Sequence, residues 1–214
     1  MLDGLLLSES RRASLEKATA IFEAEVHRLR SFLEPRGIGL GAATSARLGW
    51  VSEDVPGYER FAGMMSIPYV TPGGVVAIKL RRLNDDMPKY DAPSGQHARL
   101  YNVAAFQVPG DVIAICEGEL DALVCTSVVG VPAVGTPGTT FLEHWPRCFA
   151  DHARVLIVAD NDEKDDGSNP GLKHAKSVQK SIPNSQIIMP PAGCDLGEWV
   201  LRDGADVVRK AMDV

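Results

Sequence analysis

Apolar residues recur every three or four positions from Leu15 onward, at Leu15, Ala18, Phe22, Val26, Leu29 and Leu33, with Ile21 and Phe32 widening the stripe. Glu16, Lys17, Glu23, Glu25, Arg28 and Arg30 fill the intervening positions, so the spacing predicts one amphipathic helix. Ser14 or Ser10 is placed to cap it, and Pro35 followed by Gly37 ends it. A short second helix is expected over Ala42–Leu48, closed by Gly49. The period changes at Gly63. Met64–Val70, the turn Thr71-Pro72-Gly73-Gly74 and Val75–Leu80 read as a β-hairpin, with Pro68 at an edge or beside a bulge. Asn84–Gln96, rich in Asp, Pro, Ser and Gly, is expected to be an exposed loop, and Val108-Pro109-Gly110-Asp111 a domain boundary.

Beyond that boundary, strand and helix patterns alternate. Strands are expected at Val112–Cys116, Val131–Val134, Arg154–Ala159 and Gln186–Met189. Helices are expected at Leu120–Val129, Thr140–Ala150, Leu172–Ser181, Leu196–Arg202 and Ala205–Met212. Short, continuously apolar strands separated by helices indicate an α/β domain with a four-stranded parallel sheet covered on both faces. The organisation expected is therefore a small α+β amino-terminal subdomain over residues 1–107 and an α/β domain over residues 108–214. Ligands in such folds bind at the carboxyl ends of the strands, which directs attention to the residues found there.

The 214 residues are 45% hydrophobic and 23% charged with a net charge of −6, a balance that excludes a disordered chain. No apolar run approaches the length of a membrane span. The first ten residues carry Asp3 and Glu9 and no cation before Arg11, unlike a secretory leader, so a cytoplasmic location is expected. Cys116, Cys125, Cys148 and Cys194 form no CxxC pair, which argues against zinc and for a reducing compartment. Charge is unevenly divided: residues 1–105 hold 13 Lys and Arg against 12 Asp and Glu, whereas 106–214 hold 9 against 16. Lys79, Arg81, Arg82, Lys89 and Arg99, set against Asp85, Asp86 and Asp91, leave room for a local cationic patch.

Three of the expected strands end in carboxylates. Val112–Cys116 runs into Glu117-Gly118-Glu119-Leu120-Asp121, Arg154–Ala159 into Asp160-Asn161-Asp162-Glu163, and Gln186–Met189 into a turn ending at Asp195, with Glu198 beyond it. Taken singly, an acid after a strand reads as a helix cap or a dipole partner, and Glu119 and Asp121 fit that role. Taken together, three strand ends converge on one edge of a parallel sheet. Two carboxylates about 4 Å apart repel by about 4 kcal/mol at an effective dielectric near 20, so the cluster calls for protons or hard divalent cations, Mg²⁺ or Mn²⁺. Asp165 and Asp166 are expected to be solvated loop residues.

The string Glu117-Gly118-Glu119-Leu120-Asp121-Ala122-Leu123, followed after an apolar strand by Asp160-Asn161-Asp162, resembles the Toprim domain shared by bacterial-type primases, topoisomerases and several nucleases. The resemblance implies a Toprim fold that binds Mg²⁺ (or Mn²⁺) through Glu117, Asp160 and Asp162, which are also the catalytic residues it implies, with Asp121 in support. Gly193-Cys194-Asp195-Leu196-Gly197-Glu198 is similar to a late primase segment and adds Asp195 to the metal candidates. The first half chooses among Toprim families. Phe32-Leu33-Glu34-Pro35-Arg36-Gly37-Ile38, Leu48-Gly49-Trp50, Ile67-Pro68-Tyr69, Lys79-Leu80-Arg81-Arg82, Pro88-Lys89-Tyr90 and Arg99-Leu100-Tyr101-Asn102 resemble, in that order, the primase RNA-polymerase domain. By that resemblance Arg81, Arg82, Lys89 and Arg99 contact nucleotide phosphates and DNA.

The similarity runs from about Phe32 to the end and is to compact primases of bacteriophages infecting actinobacteria, without the zinc-binding domain of bacterial primases. It implies a metal-dependent nucleotidyltransferase, a DNA primase acting as a DNA-directed RNA polymerase. Such an enzyme makes short RNA primers from ribonucleoside triphosphates on single-stranded DNA. The partners implied are a replicative helicase or a separate zinc-bearing protein and no membrane, and the place is the host cytoplasm if the protein is phage-encoded. The alternatives are a Toprim nuclease, since the same acids promote hydrolysis, and a non-catalytic replisome module that binds DNA. A strand-passing topoisomerase is disfavoured, although Tyr58, Tyr69, Tyr90 and Tyr101 supply possible nucleophiles.

Overall fold

Ser8 starts the first helix by accepting the Arg11 N–H at 3.2 Å. In the computed structural model, which describes residues 7–84, 86–163 and 166–214, that helix is α1 (Glu9–Glu23). The cap thus falls at Ser8 rather than at Ser10 or Ser14, and the Ser14 hydroxyl instead donates back to the Ser10 carbonyl at 2.9 Å. Asp85 and Asp165 lie outside the described residues, as does most of the Met1–Ser10 stretch read for a leader.

The single long helix expected through Leu33 is broken. After α1 the chain makes a 3₁₀ turn, Val26–Leu29, and then α2 (Arg30–Leu33). The cause lies in packing. Strand β1 (Gly49–Trp50) crosses the end of α1 so closely that a Cβ on Gly49 would sit 2.3 Å from the Phe22 carbonyl carbon. A helix continuing straight would carry Leu29 and Leu33 past the core that the bend lets both enter, each with no exposed surface. Helix α3 (Leu40–Ser45) starts and stops earlier than the Ala42–Leu48 expected.

The hairpin forms as read: β2 (Met65–Thr71) pairs antiparallel with β3 (Gly74–Arg81), with a bulge between Tyr69 and Val70, next to Pro68. Strand β4 (Tyr90–Asp91) arises inside the stretch expected to be loop and completes an antiparallel sheet of order β1-β2-β3-β4. Gln96 extends that edge without being a strand, its side chain accepting the Ile78 N–H at 3.1 Å and donating to the Ile78 carbonyl at 3.0 Å. Leu15, Ala18 and Phe22 of α1 pack with Val75, Ile78 and Leu80 of β3 to make the core of this unit. Arg47 ties it at the rim, its guanidinium 2.9 Å from Glu16 and 2.7 Å from Glu23.

The chain divides into residues 1–34 with 39–97, and residues 35–38 with 98–214. The division therefore falls at His97 rather than before Val108. The reason is that Tyr101 bridges Gly135, its N–H donating to the Gly135 carbonyl at 2.8 Å, while Leu100 and Ala105 are buried in the second core. The second unit follows the α/β expectation through β5 (Val112–Cys116), α4 (Glu119–Val124), β6 (Ala133–Gly135), β7 (Arg154–Val158), α5 (Pro170–Gln179), β8 (Ser185–Ile188), α6 (Leu196–Asp203) and α7 (Ala205–Ala211). The four strands form a parallel sheet of order β6-β5-β7-β8. Its core is Ile113, Ile115, Val134, Val155 and Ile157, covered by Trp145, Phe149, Ala175 and Val178.

Two helices depart from expectation. The Leu120–Val129 helix is α4 followed by a wider π turn, Cys125–Val129. The Thr140–Ala150 helix shrinks to one 3₁₀ turn, Trp145–Phe149, which has Pro146 near its start. Its aromatic residues still do the covering work, with Phe141 edge-on to Trp145 at 5.6 Å. Apolar burial there needs the rings, not the helix. No helix among the described residues is long and apolar enough to cross a membrane.

Candidate catalytic and metal-binding site

From β5 the chain crosses outward to β6 and then returns past β5 to β7, so the direction of winding reverses between β5 and β7. At such a switch point the loops leaving neighbouring strands diverge and open a crevice at the strands' carboxyl ends. Cys116 of β5 lies in register with Val158 of β7, which puts Glu117 beside the start of Asp160-Asn161-Asp162. The Asp160 N–H donates to Glu117 Oε1 at 3.3 Å. The next strand out, β8, leads to Asp195, which caps α6: its Oδ1 accepts the Glu198 N–H at 2.7 Å, and Glu198 returns a bond from the Asp195 N–H at 3.0 Å. Asp121 lies in the first turn of α4, directly after the Glu117-Gly118 turn.

The electrostatics show which acids meet. Partial burial first, then Asp160 and Asp162, push Glu117 up to about 7, against the opposing pull of the Asp160 N–H. Burial, Asp195, Asp162 and Glu198 push Asp160 up to about 6. Asp121 is held well above the usual carboxylate range by burial and then by Asp160, Asp195, Glu117 and Glu119. The charges of Asp160 and Asp162 thus reach Glu117, those of Asp195 and Asp162 reach Asp160, and those of Asp160, Asp195 and Glu117 reach Asp121. Glu198 also acts on Asp160, and Glu119, buried at 1% exposure, acts on Asp121. Cys116, beneath the cluster, has its thiol pushed up by a hydrogen bond with Cys125, by burial and by Asp121 and Asp160.

A carboxylate cluster of this kind accepts either protons or a cation. Its donors are all oxygen, which suits Mg²⁺ or Mn²⁺ and not a thiolate-seeking metal. Among the described residues no three His, Cys, Asp or Glu side chains close into a ready cage. An ion held by only one or two carboxylates, keeping several waters for exchange with substrate phosphates, does not need such a cage. The residues fit such an ion.

Packing around the acids is tight where sequence reasoning assigned no role. A Cβ on Gly171, in the first turn of α5, would lie 2.3 Å from the Asp160 carbonyl oxygen and 2.8 Å from Glu117 Oε1. Only a glycine lets that helix end so close to both acids. The Gly that follows Pro170 after a polar loop was the available signal. Thr136, buried after β6, donates to the Gly138 carbonyl at 2.8 Å and shapes the neighbouring turn. Asp166 is exposed, as expected of a solvated loop residue.

The cationic candidates divide between the units. Arg81, Arg82 and Lys89 share the β3–β4 edge of the first, where the Arg82 N–H donates to the Lys89 carbonyl at 2.9 Å. The Arg81 guanidinium lies 4.6 Å from the Phe32 ring centre and its Nε donates to the Tyr90 hydroxyl at 3.3 Å, so aromatic residues set its direction. Lys79 lies 4.2 Å over the Tyr90 ring, a further cation on that edge. Lys89 is exposed, whereas Arg99 is partly buried and belongs to the second unit.

No family model matches the chain. The gene 57 protein of Mycobacterium phage D29 is 38% identical over 154 residues, 69% of this chain and 97% of that protein. Among solved structures, the Aquifex aeolicus primase comprising zinc-binding and RNA polymerase domains superposes with a TM-score of 0.78 at 20% identity, over all of this chain and 63% of that one. The RNA polymerase domain of Mycobacterium tuberculosis primase DnaG, in complex with double-stranded DNA, gives a TM-score of 0.76 at 21% identity, over 96% of this chain and 81% of that one. The chain therefore belongs to the family of the phage D29 gene 57 protein, and its fold is that of the bacterial DnaG primase catalytic core.

Proposed function

We propose that this protein is a DNA primase of the Toprim type, a nucleotidyltransferase that joins ribonucleoside triphosphates into short RNA primers on single-stranded DNA. The observation that carries the reading is the meeting of Glu117, Asp121, Asp160, Asp162 and Asp195 at the switch point of the parallel sheet. The primase-like fold and the DNA-bound state of the mycobacterial domain support it.

In this reading Glu117, Asp160 and Asp162, together with Asp195, hold one or two divalent cations, with Asp121 as a supporting acid. When bound, such a cation lowers the pKa of an attacking hydroxyl and neutralises the charge of a triphosphate. Arg81, Arg82 and Lys89 bind phosphates, Arg81 as an oriented fork and Lys89 as a mobile point charge, and Arg99 contacts nucleic acid. With a net charge of −6 the protein binds template weakly and in a salt-sensitive way. A replicative helicase, or a separate zinc-bearing partner, raises its local concentration at the template in the host cytoplasm.

The test is primer synthesis on single-stranded DNA with labelled ribonucleotides and Mg²⁺ or Mn²⁺. The wild-type protein yields short RNA, and the double variant Asp160→Ala/Asp162→Ala yields none. Equal activity in the two refutes the metal assignment. Cleavage of nucleic acid in a reaction without nucleotides makes the protein a nuclease instead. DNA binding without turnover, unaffected by Asp160→Ala, makes it a replisome module.

A further inference from the structure

Asn161 separates the two aspartates of the Asp160/Asp162 pair, and its polar groups are all engaged elsewhere. Its N–H donates to the Cys194 carbonyl at 3.1 Å, and its own carbonyl accepts the Gly193 N–H at 2.8 Å. Its side-chain Nδ2 donates to the Pro190 carbonyl at 2.7 Å, and its Oδ1 accepts from Asn169 Nδ2 at 2.8 Å. The amide orientation is forced, because a proline carbonyl can only accept. Three of the four bonds therefore reach residues 190–194, the segment that delivers Asp195. The fourth reaches Asn169, which caps α5 by accepting the Leu172 N–H at 2.8 Å and so fixes the helix end that abuts Glu117 and Asp160.

The acids that these segments carry have like charge and repel one another. Four hydrogen bonds made by one residue hold the segments together against that repulsion. Asn161 grips residues 190–194 from between the two aspartates, while the charges of Asp162 and Asp195 both act on Asp160. We infer that Asn161 is a positioning residue for cation binding, holding the Asp160/Asp162 pair and Asp195 within reach of one ion despite their repulsion. The inference rests on the reading that these acids bind a divalent cation.

Mn²⁺ titration of the full chain, followed by the electron paramagnetic resonance of free Mn²⁺, tests it together with thermal unfolding in EDTA. Asn161→Ala is expected to weaken Mn²⁺ binding about tenfold, the lower end of the range for groups that orient metal ligands. Asn169→Ser keeps the cap on α5 but is too short to reach Asn161, and is expected to weaken binding about threefold with wild-type unfolding to within about 2 °C. It carries the test should Asn161→Ala fail to fold. A folded variant of either kind that binds Mn²⁺ as tightly as wild type, even with a lowered unfolding midpoint, overturns the positioning role and leaves the proposed function standing. Wild-type protein that binds no Mn²⁺ overturns both.

Discussion

Replacing Asp160 with Asn removes a charge from the crowded strand-end cluster while keeping the side chain's shape. Asp160 sits at about 6 in the folded protein, against 3.8 for an ordinary aspartate, because burial and the charges of Asp195, Asp162 and Glu198 disfavour its ionised form. A folded-state value above the unfolded one means that the folded state binds the proton more tightly. Stability is then greatest where both states are protonated, and is lost as the pH rises through about 6. At 1.36 kcal/mol per unit the displacement is worth about 3 kcal/mol, reduced to about 1–2 kcal/mol because part of the carboxylate still faces water. Asp160→Asn is therefore expected to stabilise the protein in EDTA at pH 8 by about 1–2 kcal/mol, raising the unfolding midpoint by about 2–8 °C for a chain of this size. The gain shrinks toward zero by about pH 4, where wild-type Asp160 also carries its proton. Urea unfolding followed by circular dichroism across that range measures it. A variant less stable than wild type at pH 8 in EDTA would show that Asp160 is held by favourable contacts rather than strained by its neighbours, and the cation-binding rationale would go with it.

Divalent cation should reverse the penalty. Mg²⁺ at a hundred times its dissociation constant is expected to stabilise wild type by about 2.7 kcal/mol and Glu117→Gln far less, as read by thermal unfolding. Gly171→Ala forces a Cβ to within 2.3 Å of the Asp160 carbonyl oxygen; it should cost about 1–3 kcal/mol in urea unfolding and lower primer synthesis by displacing Glu117. At Asp195 two roles can be separated. Asp195→Ala loses the helix cap, at about 1 kcal/mol, along with the charge, whereas Asp195→Ser keeps the cap. Primer synthesis should fall in both variants and the unfolding midpoint only in the first.

The candidate acids were legible because a parallel strand buried on both faces is a short unbroken apolar run, so its carboxyl end is marked by the first charged residue after it. Glu117 and Asp160 are those residues for β5 and β7, separated from the last strand residue by at most one position beyond the strand. The hairpin was legible for a similar reason: turn residues stand between two apolar runs. The continuous stripe from Leu15 to Leu33 misled, because its period records which residues are buried and not whether one helix axis carries them. The aromatic spacing from Phe141 to Phe149 misled in the same way, since a 3₁₀ turn with Pro146 buries the same rings.

Sequence alone thus determined the strands of the hairpin and of the parallel sheet and the acids that end the latter, all consequences of local periodicity. Strand order decided what it could not: that β5 and β7 lie side by side, bringing Glu117 to the N–H of Asp160, 43 positions away in the chain. The place where Tyr101 joins the second unit and the grip of Asn161 on residues 190–194 likewise came only from tertiary structure. Such pairings depend on backbone hydrogen bonds between distant segments, and a backbone N–H or carbonyl is the same group at nearly every residue, so no side-chain pattern announces it.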